Sequence, residues 1–304
     1  MTLRNSNINF SYVQDQYLKL KKRIDVRTKK VLNHQKFIMG PEVLALEEKL
    51  KEFTKTKYVI TCANGTDALS LVLMSWNLGE KDVVFVPSFT YIASAEAPSQ
   101  LGLKIYLVDV DTNTFNMDAN SLKEGILKVK KMGLNPSVVL AVDLFGLPAD
   151  FKKLNGIAKE EGMKVLIDGA QSFGSEYYKN KLGSYGDAAT TSFFPAKPLG
   201  CYGDGGAIFT QDRQLYKKLD SLRFHGKGQS KYEHDFIGMN SRLDTIQAAI
   251  LLEKLNVFPK ELEKRNKNAS IFNKELTDSF EVPHIAKNYK SSWAQYTLKT
   301  SNRE

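Results

Sequence analysis

A lysine held between prolines, Pro195-Ala196-Lys197-Pro198, follows the apolar run AATTSFF at 188–194. The other lysines of the chain sit in polar, amphipathic stretches that suit a solvated surface; Lys197 does not. A partly desolvated amine sheds its proton readily and becomes a nucleophile able to form a Schiff base. Upstream, the run KVLID ends in Asp168, with Gln171 three residues on. A carboxylate there caps the next turn, binds a metal or pairs with a cationic ligand nitrogen. Metal is disfavoured, because none of His34, His225, His234 and His284 lies at ligand spacing from a carboxylate or from Cys62 or Cys201. Earlier still, YVITCA runs into Asn64-Gly65-Thr66-Asp67, which opens a helical pattern. Gly65 lets a ligand approach the backbone, and the N–H groups of Thr66 and Asp67 at a helix start favour a phosphate. A plain N-cap by Thr or Asp would read the same way. Phe89-Thr90-Tyr91 after VVFVPS places aromatic rings at the mouth of a sheet or in its core. Taken together in chain order, a phosphate cradle, an aromatic, a strand-end Asp and an amine describe pyridoxal phosphate. The aromatic would stack on the pyridine, and Asp168 would keep the ring nitrogen protonated as an electron sink.

These residues must be positioned by the elements that carry them. Strand-type runs occur at 58–63, 83–88, 104–110, 137–145, 164–170, 188–194 and 205–210. Most are continuous Val/Ile/Leu/Phe, as a sheet covered on both faces requires. Helical patterns separate most of them: PEVLALEEKLKEFT, TDALSLVLMSWNLG ending at Gly79, and three more closing at Gly102, Gly133 and Gly162. The expected fold is α/β, a mainly parallel sheet of about seven strands sandwiched by helices. Ligands of such sheets bind beyond the strands' carboxyl ends, where the polar residues above fall. Residues 245–276 read as one long helix bent near Pro259, and SSWAQYTLKTSNRE begins like a strand. The chain divides into an N-terminal helical segment (1–40), a large α/β domain (41–235) and the start of a smaller C-terminal α+β domain (236–304) that reads as truncated.

Composition removes other classes. The chain has 304 residues, 42% hydrophobic and 25% charged, which is ordinary globular composition. Its net charge of +9 comes from 43 basic against 34 acidic residues. Only eight of the basic residues are Arg, and none of these falls between Arg27 and Arg213. A nucleic-acid reader favours clustered Arg with aromatic stacking, so the charge reads as a Lys-rich solvated surface. No apolar run approaches a membrane span, and MTLRNSNINF has no apolar signal core. A cytoplasmic protein without nucleic-acid or membrane partners is expected.

The motifs NGTDAL, PSFTYIASAEA, DGAQ, TSFFPAKPLGCYGDGGA and NSRLD, in this order, resemble the successive signatures of the DegT/StrS-type sugar aminotransferases. That resemblance implies a pyridoxal-phosphate transferase of fold type I that moves an amino group from L-glutamate to a keto sugar linked to a nucleotide. It implies phosphate contacts from Thr66, Asp67 and Ser192, stacking by Tyr91, and the ring nitrogen on Asp168. Gln171 would take the ring hydroxyl, and Lys197 would form the internal aldimine, with pyridoxamine phosphate as the intermediate form. It further implies a homodimer with shared sites, in which Asn240 reaches the neighbouring subunit's phosphate. The sequence is most similar to enzymes aminating a UDP-linked 2-acetamido-3-keto-hexuronate for surface polysaccharide, with Arg242 and Tyr296 as substrate contacts. An interface ion pair is the other reading of Arg242. Enzymes for 4-keto-6-deoxy sugars and a non-catalytic sugar- or cofactor-sensing regulator are the alternatives.

Overall fold

The computed structural model describes residues 13–230 and 232–301. Helices α1 (Val13–His34) and α2 (Pro41–Thr54) lead into β1 (Tyr58–Cys62). Next come α3 (Gly65–Ser75), β2 (Asp82–Pro87), α4 (Ala93–Gln100), β3 (Lys104–Val108), α5 (Ala119–Lys131), β4 (Asn135–Val142), α6 (Phe151–Glu160) and β5 (Lys164–Asp168). A short β6 (Glu176–Tyr177) precedes β7 (Ala188–Ser192), β8 (Gly206–Thr210), α7 (Arg213–Leu222), α8 (Thr245–Leu255), α9 (Phe258–Leu276) and β9 (Tyr289–Lys290).

Seven strands form one sheet in the order β1-β8-β7-β5-β4-β2-β3. Only β8 runs against its neighbours, β1 and β7; the remaining pairs are parallel. Six strands therefore end at one edge of the sheet, where a ligand site of this architecture belongs. All five residues of β7 and of β8 are buried, which accounts for their unbroken apolar or small-residue character. One core lies between the sheet and α2, α5, α6 and α8; a second lies under α3, α4 and α7. Helix α3 is buried along Ala68–Leu73, so it is apolar nearly all round rather than striped. Residues beyond the expected boundary at 235 contribute Leu243, Leu251 and Phe258 to the first of these cores.

Three local expectations are corrected. Helix α3 stops at Ser75 with Trp76 as C-cap, short of Gly79. The Gly79 N–H instead donates to Asp82 Oδ2 at 2.6 Å and shapes the turn into β2. The long C-terminal helix is broken rather than bent: α8 ends at Leu255, and α9 begins at Phe258 with Pro259 in its first turn. Proline lacks the N–H that a continuous helix would need and suits a new N-terminus. The strand expected from SSWAQY is absent over the described residues; the paired residues are Tyr289 and Lys290, just before it. Ser292 N–H donates to Gly146 O, and Trp293 takes a positive φ of 51°, which ends any extended run.

Asp143, fully buried beyond β4, accepts from Ser172 Oγ at 2.6 Å and from the Ala149 N–H at 2.9 Å. Burial pushes its carboxyl from 3.8 up to about 7, with the charge of Asp168 acting in the same direction. A folded-state pKa above the unfolded one means that the protonated side chain stabilises the fold, and this is lost as pH rises from about 4 to about 7. Asp143→Asn keeps a carbonyl for Ala149 and an amide donor for Ser172. It is expected to melt above the parent at pH 8, with the gap closing toward pH 4 in calorimetric scans; a gap independent of pH would contradict this.

Candidate active site

The ends of β1, β2, β4 and β5 and the turn after β7 converge on a cavity of about 640 Å³. Gly65, Thr66, Asp67, Tyr91, Asp168, Gln171, Ser192 and Lys197, all expected from the sequence, line it. Asn240, Arg242 and Tyr296 do not.

The cradle begins at Asn64, which caps α3 by accepting from the Asp67 N–H at 2.8 Å. This corrects one detail, since the Asp67 N–H is already used. The N–H groups of Gly65 and Thr66 are those without a protein acceptor among the described residues. Gly65 packs so closely on the end of β7 that a Cβ there would lie 2.8 Å from Ser192 Cβ. The glycine brings the helix start and Ser192 onto one phosphate-sized concavity. Behind the cradle, Arg223 Nη1 donates to Glu47 Oε1 at 2.7 Å and to Thr61 O at 2.8 Å. Ser241 links the two, its N–H donating to Arg223 O and its Oγ accepting from the Ala63 N–H.

Asp168, 6% exposed, ends β5. Its Oδ1 accepts from the Ala170 N–H at 3.1 Å and its Oδ2 from Ser94 Oγ at 2.9 Å. Burial raises its pKa; these two hydrogen bonds and the Lys197 charge oppose the rise. No cation lies within ion-pair distance of it among the described residues. A buried carboxylate in that state is suited to a cationic ligand nitrogen. Ser94 was not anticipated. It sits on α4, a residue type with no special pattern there, and Thr90 Oγ1 at 3.0 Å completes a short relay to it.

Lys197 lies in a tight turn closed by its own N–H donating to Phe194 O at 2.9 Å. Burial lowers the pKa of its amine, and Asp168 pulls the other way. Gln171 Oε1 accepts from the Phe145 N–H at 2.6 Å, leaving its amide nitrogen as the end available to a ligand. Tyr91 is 69% exposed, an open ring face at the cavity mouth. A helix-start cradle, a buried carboxylate without an ion pair among the described residues, an amide donor, an open ring and a depressed amine together fit pyridoxal phosphate.

The remaining expected residues lie elsewhere. Asn240 is exposed, and the Arg242 guanidinium sits over the Phe224 ring at 4.8 Å. Tyr296 donates to Asn273 Oδ1 at 2.6 Å, stacks on Trp293 and lines a second cleft that also reaches Lys197. No group of metal-ligating residues occurs among the described residues, and no described helix is long and apolar enough to cross a membrane.

Residues 19–304 match the model of the DegT/DnrJ/EryC1/StrS aminotransferase family. The chain belongs to this family. It is 43% identical over 298 residues to the UDP-2-acetamido-2-deoxy-3-oxo-D-glucuronate aminotransferase of Pseudomonas aeruginosa, covering 98% of this chain and 81% of that protein. Among solved members, a DegT DnrJ EryC1 StrS aminotransferase from Brucella abortus superposes with a TM-score of 0.96 at 43% identity, covering 98% and 80% of the two chains. NtdA from Bacillus subtilis, solved with bound cofactor PMP, superposes at 0.88 with 28% identity over 97% and 67%. The family assignment accounts for the order of the five motifs and for the fold that presents them.

Proposed function

We propose that this aminotransferase moves an amino group from L-glutamate to the 3-keto group of a UDP-linked 2-acetamido hexuronate, using pyridoxal phosphate. The convergence of the cradle, Asp168 and Lys197 on one cavity carries the reading, and the 43% identity to the Pseudomonas enzyme supports the sugar. Bound there, pyridoxal phosphate supplies an electron sink and carries the amino group between the two substrates. The Gly65 and Thr66 N–H groups and Ser192 hold its phosphate, and Tyr91 covers its ring. Asp168, kept in place by Ser94 and Ala170, faces the ring nitrogen. Gln171 donates to the ring oxygen. Lys197 Nζ would hold the cofactor, and its amine would move a proton at the substrate carbon. Its depressed pKa leaves more of the amine unprotonated near neutrality, as a base requires. A regulator that only senses a sugar needs neither the lysine nor its carboxylate.

In this reading two chains share each site. Ile237, 91% exposed, and exposed Asn240 lie on the segment from Arg223 to Arg242, where no described residue of the chain covers Ile237. Across a two-fold, Asn240 reaches the partner's phosphate and Arg242 the sugar carboxylate. Arg242→Lys keeps the charge and loses the bidentate fork. It is expected to slow the hexuronate half-reaction by about tenfold or more, on the order of 1.5–3 kcal/mol for a charged hydrogen bond, and the glutamate half-reaction less. Stopped-flow measurement of both half-reactions beside light scattering checks this. Equal loss in both, with dissociation to monomers, would make Arg242 an interface residue. A panel of UDP- and dTDP-keto sugars offered to the aminated enzyme tests the substrate: the UDP-3-keto-hexuronate should react fastest, and preference for a 4-keto-6-deoxy sugar would overturn it.

A further inference from the structure

A second cleft, of about 1020 Å³, opens beside the cofactor cavity and shares Lys197 with it. Its walls come from α1, the turn containing Lys197, α8, α9 and the segment carrying Tyr296. Two cations on these walls make no ion pair among the described residues. Lys254 is 2% exposed, yet no carboxylate lies within ion-pair distance of it and no hydrogen bond holds its ammonium among the described residues. The ammonium rests over the Tyr202 ring at 4.8 Å. Arg265 donates to two neutral carbonyls, Ser292 O and Pro198 O, each at 3.4 Å. The second of these belongs to the residue after Lys197. Glu261 also lines the cleft, but both its oxygens accept from Gln16 Nε2 at 2.9 Å.

A buried charge without a partner destabilises a fold unless something else needs it. Lys254 and Arg265 both line a cleft large enough for a substrate, and Lys197 lines it too. We propose that Lys254 and Arg265 bind an anionic oxygen group, a carboxylate or a phosphate, of a substrate that reacts at Lys197. The inference rests on the aminotransferase reading for the identity of that substrate. Glutamate and its keto acid would bring a carboxylate; the nucleotide would bring a diphosphate. Burial lowers the pKa of both cations, that of Lys254 to about 8, while Glu261 raises both. An arriving anion restores what burial takes away. The planar guanidinium beside a compact ammonium suits either oxyanion.

Calorimetric titration of the cofactor-loaded protein with 2-oxoglutarate, UDP and inorganic pyrophosphate tests this in the parent and in Lys254→Met. The variant should take up as much pyridoxal phosphate as the parent by absorbance, and melt at the same temperature or higher. Its affinity for the anion that the site takes should fall by about tenfold or more, the scale of one charge-assisted hydrogen bond. Loss for 2-oxoglutarate alone assigns a carboxylate, loss for UDP and pyrophosphate alone assigns the diphosphate, and loss for all three assigns both. Unchanged affinities, with or without a lower melting temperature, overturn the proposal, as does a parent that binds none of the three. Should Lys254→Met fail to fold, Arg265→Gln decides by the same titrations. A parent whose visible band ignores glutamate would defeat the aminotransferase reading and leave these binding constants standing as measured.

Discussion

Lys197→Ala is expected to abolish amino transfer in both directions while leaving the fold intact. The side chain lies in a turn at a cavity wall, with no ion pair among the described residues, so little packing is lost with it. What disappears is the amine that, in the proposed function, holds the cofactor and moves the proton at the substrate carbon. General acid–base work of that kind alone is worth about 10²–10⁴ in rate, and the covalent role adds to it. The variant should melt like the parent, and single-turnover rates with glutamate should fall by about 10⁴ or more. Borohydride reduction of the parent followed by peptide mapping should place the cofactor on the peptide containing Lys197. A label on another lysine would remove Lys197 from the proposed role.

Asp168→Asn is expected to keep the cofactor and lose most of the rate. The amide is nearly isosteric, and its carbonyl still accepts from Ala170 or Ser94, so the pocket keeps its shape. An amide cannot hold a proton on the ring nitrogen, so the ring no longer draws electrons from the substrate. Removing one preorganised electrostatic partner costs about 10²–10³ in rate. Ser94→Ala should act in the same sense and more weakly, because Ser94 acts through its hydrogen bond to Asp168. Near-normal turnover by Asp168→Asn would mean that the ring nitrogen faces another group.

The sheet and the cofactor cavity were legible because their signals are local. Strands β7 and β8, buried on both faces, must be unbroken apolar or small residues. Lys197 stood out because its neighbours, Pro195 and Pro198, cannot belong to a solvated amphipathic face. The strand-end positions of Asn64, Tyr91 and Asp168 then follow from the topology. Ser94 was not legible, since its role arises only when α4 folds over the end of β5, a contact between residues distant in the chain. Lys254 was hidden for a related reason. In LLEKL it reads as the polar side of a helix, but α8 is covered by α1 and α2, and its lysine is buried with it. Arg242 and Asn240 could be named from motif resemblance alone, because the geometry that would use them requires a second chain.

Transfer of nitrogen from glutamate to a nucleotide-linked keto sugar, carried by pyridoxal phosphate with Lys197 moving the proton, is the reaction on which the proposed function stands. It is tested most directly by incubating the purified protein and pyridoxal phosphate with ¹⁵N-labelled L-glutamate and the UDP-linked 2-acetamido-3-keto-hexuronate, then reading the product by mass spectrometry. The expected product is a UDP-linked amino sugar carrying one ¹⁵N, with 2-oxoglutarate formed in equal amount, and neither appears with Lys197→Ala. Release of 2-oxoglutarate without labelled sugar for any keto sugar offered, or labelled sugar formed equally well by Lys197→Ala, would contradict the claim.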